Sequence, residues 1–120
     1  MIEPSHYDIC IPKGATFDQP FNWKDDNGNT YDLSSYTARM QIRVTVNAPD
    51  PPIISLTSDV GGGITLSARD PNISLFISAT ITESVTISSG VYDLKLTDSN
   101  GIVTRLLEGK VKFSPAVTRP

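Results

Sequence analysis

The sequence predicts an all-β fold: a single antiparallel β-sandwich, immunoglobulin-like in general architecture, spanning residues 1–120 as one domain. Three observations carry that expectation. Thr37 to Val46 alternates polar and apolar residues without a break. Ser89 to Phe113 contains two further alternating runs separated by Asp98-Ser99-Asn100-Gly101. Elsewhere, short apolar runs stand between Gly, Pro, Asn and Asp clusters, and helical periodicity is almost absent. Period-2 alternation marks strands with one buried face, and many short strands between polar turns mark a sandwich or barrel.

The Ser89–Phe113 stretch is the organising element. Tyr92, Leu94 and Leu96 fall on one face and Asp93, Lys95 and Thr97 on the other. An Asn-Gly pair between two such runs is the strongest short-range hairpin signal. Beyond the turn the register has two solutions. An even loop puts Val103, Arg105 and Leu107 on the inner face; a left-handed bulge at Gly101 turns Leu106 inward instead. Gly109 is the expected place for a second bulge, because Val111 and Phe113 alternate cleanly with Lys110 and Lys112.

The other elements follow in order. Tyr7 to Ile11 is a first strand, closed by Pro12-Lys13-Gly14. Thr16 to Lys24 is a second, with Phe17, Phe21 and Trp23 on one parity; Pro20 cannot donate to a ladder, which puts this strand at an edge. Asp25 to Asn29 is a polar turn. It is no calcium loop: positions six and twelve from Asp25 are Thr30 and Tyr36, where glycine and glutamate are required. Thr37 to Val46 is the longest strand. Its outward Arg39 and Arg43 have the spacing of an anion site, but cross-strand carboxylate partners are the plainer expectation.

Asn47 to Pro52, with three prolines in six residues, is a stiff loop. Ile53 to Thr57 and Ile64 to Leu66 are strands, joined through Gly61-Gly62-Gly63. That triple glycine lacks the Lys-Ser/Thr pair of a phosphate loop and reads as a flexible turn. Ile73 to Ala79 alternates again. Thr80 to Ser84 makes one helical turn, with Thr80 as cap and Glu83 three residues on. The tail from Ser114 to Pro120 is extended. Trp23, Met40, Ile42, Tyr92, Leu94 and Val111 are the expected core.

Composition removes several function classes. A net charge of -3 and a pI near 4.9, with ten Lys and Arg scattered from Lys13 to Arg119, give no concentrated basic face, so nucleic acid is not an expected partner. No apolar run is long enough to span a bilayer, and the acidic start Met1-Ile2-Glu3-Pro4 is not a signal peptide, so synthesis in a cytoplasm and no membrane partner are expected. The sequon Asn72-Ile73-Ser74 matters only in a secretory pathway.

Cys10 is the single cysteine and His6 the single histidine. Neither a disulfide, a cysteine zinc cage nor a His-based triad can be assembled. Cys10, between Ile9 and Ile11, reads as a small buried hydrophobe. The Asp residues sit at turns or on solvated strand positions, unsuited to a glycosidase pair. The expectation is no enzyme, no cofactor and no metal.

Two segments together resemble a known group. Gly14 to Arg43 reads GATFDQPFNWKDDNGNTYDLSSYTARMQIR, and Ser89 to Arg119 reads SGVYDLKLTDSNGIVTRLLEGKVKFSPAVTR. The resemblance rests on Thr16, Phe17, Leu33 and Tyr36 to Met40, then Ile42 and Arg43. In the hairpin it rests on Gly90, Tyr92 to Leu94, Thr97, Asp98, Gly101, Val103 to Arg105, Leu107 to Gly109 and Val111. This pattern is similar to small β-sandwich virion proteins of tailed bacteriophages: the N-terminal domain of baseplate upper protein and short collar or fibre-attachment proteins.

The resemblance implies a structural protein of the neck or collar, tail or baseplate, made in the bacterial host cytoplasm and located in the virion. It implies a ring-forming homo-oligomer that docks fibres or other virion proteins. A capsid decoration protein and a carbohydrate-binding or host-adhesion module are the alternatives. The carbohydrate reading is weakened by the aromatics, nine in all, most of which have core-facing parity. Candidate docking residues are Asn47, Pro49, Asp50, Pro51 and Pro52 in the loop, with Pro115, Thr118 and Arg119 in the tail.

Overall fold

A computed structural model describes residues 5–118. Two sheets face each other. One has the order β1-β9-β8-β4-β5, with β2 also on β9; the other has the order β3-β7-β6. The strands are β1 (Ser5–His6), β2 (Ile9–Pro12), β3 (Phe17–Phe21), β4 (Thr37–Arg43) and β5 (Ile54–Thr57). They continue with β6 (Ile64–Leu66), β7 (Ile73–Ile77), the short helix α1 (Ala79–Ser84), β8 (Ser89–Thr97) and β9 (Val103–Ser114). The run β9-β8-β4-β5 opposite β3-β7-β6 is the G-F-C-C′ and B-E-D arrangement of immunoglobulin variable-type domains. The sandwich is therefore immunoglobulin-like, as the alternation predicts.

It is not wholly antiparallel. β1 and β2 run parallel to β9, with Ser5 beside Leu107 and Pro12 beside Ser114. A parallel partner leaves no local signature in sequence, because its two strands are joined by nearly the whole chain. Gly109 explains how the approach is possible. It forms no bulge; it pairs with Tyr92, and a Cβ on it would collide with the backbone carbonyl of Tyr7. The Tyr92 hydroxyl donates to that same carbonyl at 2.5 Å, and burial pushes its pKa up.

β8 is the central strand, paired along its length with β4 and β9. Tyr92, Leu94 and Leu96 are buried against Ala38, Met40, Ile42, Leu56, Leu75, Ile77, Val111 and Phe113. The register question after the turn is decided in favour of the odd loop. Asp98 N donates to Ile102 O, Gly101 N donates to Asp98 O, and Gly101 has φ +82°. Leu106 then turns inward, while Val103 and Arg105 face solvent. The register is reset at Leu106 itself, opposite Leu94 and Lys95, and not at Gly109. The Asp25–Asn29 turn repeats the same chemistry. Asp25 N donates to Asn29 O, the Asp25 carboxylate accepts from Asn27 N and Asn29 N, and Gly28 has φ +84°.

Several expected elements are shorter than predicted. β4 ends at Arg43, and Val44 and Val46 are exposed, because Arg43 turns the chain into the proline loop. The second strand spans only Phe17–Phe21; Pro20 is tolerated because β3 is an edge strand. Trp23 lies beyond it, half-buried at the core margin, its ring 4.5 Å from Tyr31 and 6.3 Å from Tyr36 between centroids. Cys10 is exposed, contrary to the apolar-run reading: Ile9 and Ile11 take the inward parity of β2 and leave Cys10 outside.

The helix is capped by Ser78 and not Thr80, with the Ser78 side chain accepting from Ile81 N. Its buried Thr82 ties it to the β2–β3 turn, accepting from Gly14 N at 3.1 Å and donating to Ala15 O at 2.8 Å. The triple glycine is not a slack turn. Gly61 and Gly63 have positive φ, and a Cβ on Gly62 or Gly63 would overlap the backbone of Thr57 or Phe76. Thr57 N donates to Gly62 O and Phe76 N to Gly63 O, so the turn stitches one sheet to the other.

Candidate docking surface

The structure brings the two predicted docking segments to one end of the six-stranded sheet. Arg43 pairs with Val91 near the start of β8, and Ser89 pairs with Lys112 near the finish of β9. The loop that follows β4 and the tail that follows β9 therefore leave from the same end. Three exposed valines join them there: Val44, Val46 and Val117, the last 94% exposed.

The loop is held from below by one side chain. Arg43, whose side chain is 21% exposed, donates to Asp50 Oδ1 at 2.6 Å, to Ala48 O at 3.2 Å and to Gln41 Oε1 at 2.8 Å. The cross-strand carboxylate expected for Arg43 is thus a loop carboxylate. With its guanidinium fork occupied on three sides, Arg43 is a clamp and not a free anion site. Asn47, Pro49, Asp50 and Pro51 stay exposed around it and Pro52 is half-buried. In the tail, Lys13 N donates to Ser114 O at 2.8 Å, which fixes the last pair of β9. Pro115, Val117 and Thr118 are exposed beyond that point, and Ala116 turns back toward Gly14. Arg119 lies outside the described residues.

His6 Nε2 and Asp8 Oδ1 lie 2.9 Å apart on the opposite edge of the same sheet. The Asp8 carboxylate also accepts Lys110 N at 2.9 Å, and that hydrogen bond, with help from His6, holds its pKa below the usual aspartate value. The Asp8–Lys110 bond fastens the N-terminal segment to β9. The His6 and Asp8 side chains are largely exposed, and Cys10 does not enter the contact. Among the described residues no cluster of three metal-ligating side chains occurs.

No family model matches the chain, and no curated protein matches its sequence. Solved structures of similar shape include Tim-1, at 13% identity and a TM-score of 0.44, with 98% of this chain and 100% of that one covered. Another comes from a photo-crosslinking study of multimeric cell-adhesive interactions of VGSC beta subunits, at 12% identity and a TM-score of 0.47, with the same coverage. Neither likeness bears on function.

Two features escaped the sequence. Asn72 is a buried hub: its Oδ1 accepts from Trp23 N, and its Nδ2 donates to Trp23 O and Tyr31 O. Its side chain is sealed inside, so the sequon cannot be glycosylated in the folded protein. The cations, scattered in sequence, are also gathered by the fold. Arg39, Arg43, Lys95, Arg105, Lys110 and Lys112, six of the ten Lys and Arg, share the outward face of the six-stranded sheet. The premise that no concentrated basic face exists is corrected. Strand alternation places i and i+2 on one face, and adjacent strands supply the rest. Carboxylates of Asp93 and Glu108 lie among these cations.

Proposed function

We propose that this chain is a structural protein of a tailed-bacteriophage virion, in the neck or collar, tail or baseplate. It assembles there in multiple copies and docks fibres or neighbouring virion proteins. The resemblance of Gly14–Arg43 and Ser89–Arg119 to phage sandwich proteins supports this reading. The observation that carries the docking assignment is the Arg43 clamp. A proline loop already held in one shape loses little conformational freedom when a partner fixes it. The projecting tail and the three exposed valines on the same end supply apolar contact area beside it. Repetition around a ring turns modest single contacts into a lasting assembly.

The test is incorporation into particles. Asn47–Pro52 replaced by a Gly-Ser linker, or Pro115–Pro120 removed while Ser114 keeps its pairing, should leave a folded domain that fails to enter the particle. Arg43→Met, which frees the loop without shortening it, should lower incorporation to an intermediate level. Wild-type copy number in all three variants would remove this end of the sandwich from the docking role.

A further inference from the structure

The outward face of the six-stranded sheet carries its charge in rows. The pairing of β4 with β8 and of β8 with β9 sets Arg39, Lys95 and Arg105 side by side. The next outward row is Gln41, Asp93 and Glu108. Below the cations lies an uncharged row, Thr37, Thr97 and Val103; above the carboxylates lie Arg43, Val91 and Lys110. Like charges directly opposite each other on paired strands are destabilising. In an isolated sandwich the cations repel along their row and the carboxylates along theirs, and the diagonal attraction between rows acts across solvent at about 7 Å. Within the chain the Arg105–Glu108 contact, at 3.8 Å and half-exposed, offsets little of this.

We propose that this face pairs with the same face of a second copy. The twofold axis lies in the plane of the interface, parallel to the rows and midway between the cation row and the carboxylate row. That operation keeps each strand's position along a row and exchanges the rows. Lys95 then faces Asp93 of the second copy, Arg105 faces Glu108, and Arg39 faces Gln41, each contact occurring twice. The outer rows exchange as well, so Arg43 and Lys110 face Thr37 and Val103, and no cation meets a cation. Arg43 is already neutralised by Asp50. The match in all four rows follows from the register of the three strands and the order of residues along them.

The same pattern disfavours a polyanion, since a continuous run of phosphate or sulfate would lie across Asp93 and Glu108. Four rows about 7 Å apart on three strands about 4.8 Å apart span a few hundred Å2 per copy, below the roughly 800 Å2 per partner of a stable complex. The pairing is therefore weak and salt-sensitive in solution, and effective where copies are already concentrated. The loop borders this face through the Arg43 contacts with Ala48 and Asp50, and the pairing stands independently of the virion reading.

The experiment is sedimentation equilibrium on the full chain at low and high salt, with charge-swapped variants. Wild type should associate reversibly at high protein concentration, and several-fold more weakly in high salt. Lys95→Asp and Asp93→Lys should each be monomeric, because each sets like charges across the axis. An equimolar mixture of the two should associate again, since every swapped contact is then complementary. Both substitutions relieve a like-charge neighbour on the sheet, so both should melt no lower than wild type. If either unfolds, Arg105→Glu with Glu108→Arg repeats the swap. A mixture that stays monomeric, or single variants that associate as wild type does, would overturn the proposal. So would a monomeric wild type retained on immobilised heparin, which would assign the cations to a polyanion.

Discussion

Asn72→Ala should lower the stability of the domain by about 3–5 kcal/mol, the largest loss expected from any single polar substitution in this chain. Asn72 has no exposed surface and makes three hydrogen bonds at 2.9 to 3.0 Å. Its amide faces the backbone of Trp23 on one side and of Tyr31 on the other, more than forty positions away in sequence. Truncation to a methyl group leaves the Trp23 N–H and the Tyr31 carbonyl without these partners, while Trp23 O keeps its bond from Tyr31 N, and the penalty for each stranded group exceeds the net worth of a made bond. The damage should also be local: the segment carrying Trp23, Tyr31 and Tyr36 loses its fastening to the start of β7. Urea denaturation followed by tryptophan fluorescence reads both effects, since Trp23 is the single tryptophan. A midpoint unchanged from wild type would show that water or a local rearrangement satisfies these groups.

Leu94→Ala should cost about 2–5 kcal/mol, the range for truncating a fully buried leucine. Leu94 has no exposed surface and sits on the central strand between Met40 of β4 and Leu107 of β9. It is also the pair that borders the irregular register at Leu106. The flanking strands are locked by their ladders, so the site can collapse only partly, which favours the upper part of the range. Thermal melting by circular dichroism measures it. A melting temperature equal to wild type would mean that Leu94 is not a core residue.

Strands that bury one face were legible from alternation alone. β8, the inward half of β9, and β4 as far as Arg43 have the faces that period-2 reading assigns, and Pro20 correctly marks β3 as an edge. What alternation cannot show is where a strand stops. Val44 and Val46 continue the pattern of β4, but the Arg43 contacts with Ala48 and Asp50 turn the chain away before them. Cys10 shows the converse limit: a three-residue apolar run has a middle member that must point outward once its neighbours point in. The parallel pairing of β1 and β2 with β9 left one local trace, the small residue at Gly109, and a glycine in a strand is as readily taken for a bulge as for a close approach.

The candidate sites divide in the same way. The proline loop was visible because stiffness is a property of composition. Its clamp was not, because the partners Arg43 and Asp50 meet only after the strand turns. The row pattern on the outer face was invisible for a different reason. Arg39, Lys95 and Arg105 come from three strands, and their alignment depends on registers that include the extra residue at Leu106. Without that extra residue Asp93 would pair with Leu107, and Glu108 would fall out of line with it and turn inward. Net charge carries no information about such an arrangement.

The proposed role of this sandwich is to be built into a phage particle through one end of its six-stranded sheet. A cryo-electron microscopy map of the assembled particle, at a resolution that traces side chains, tests it most directly. The expected result is copies repeated about the particle axis, with Asn47–Pro52 and the segment after Ser114 buried against a neighbouring protein and Arg43 still bonded to Asp50. Copies in which both segments face open solvent would contradict it, as would the absence of this chain from purified particles.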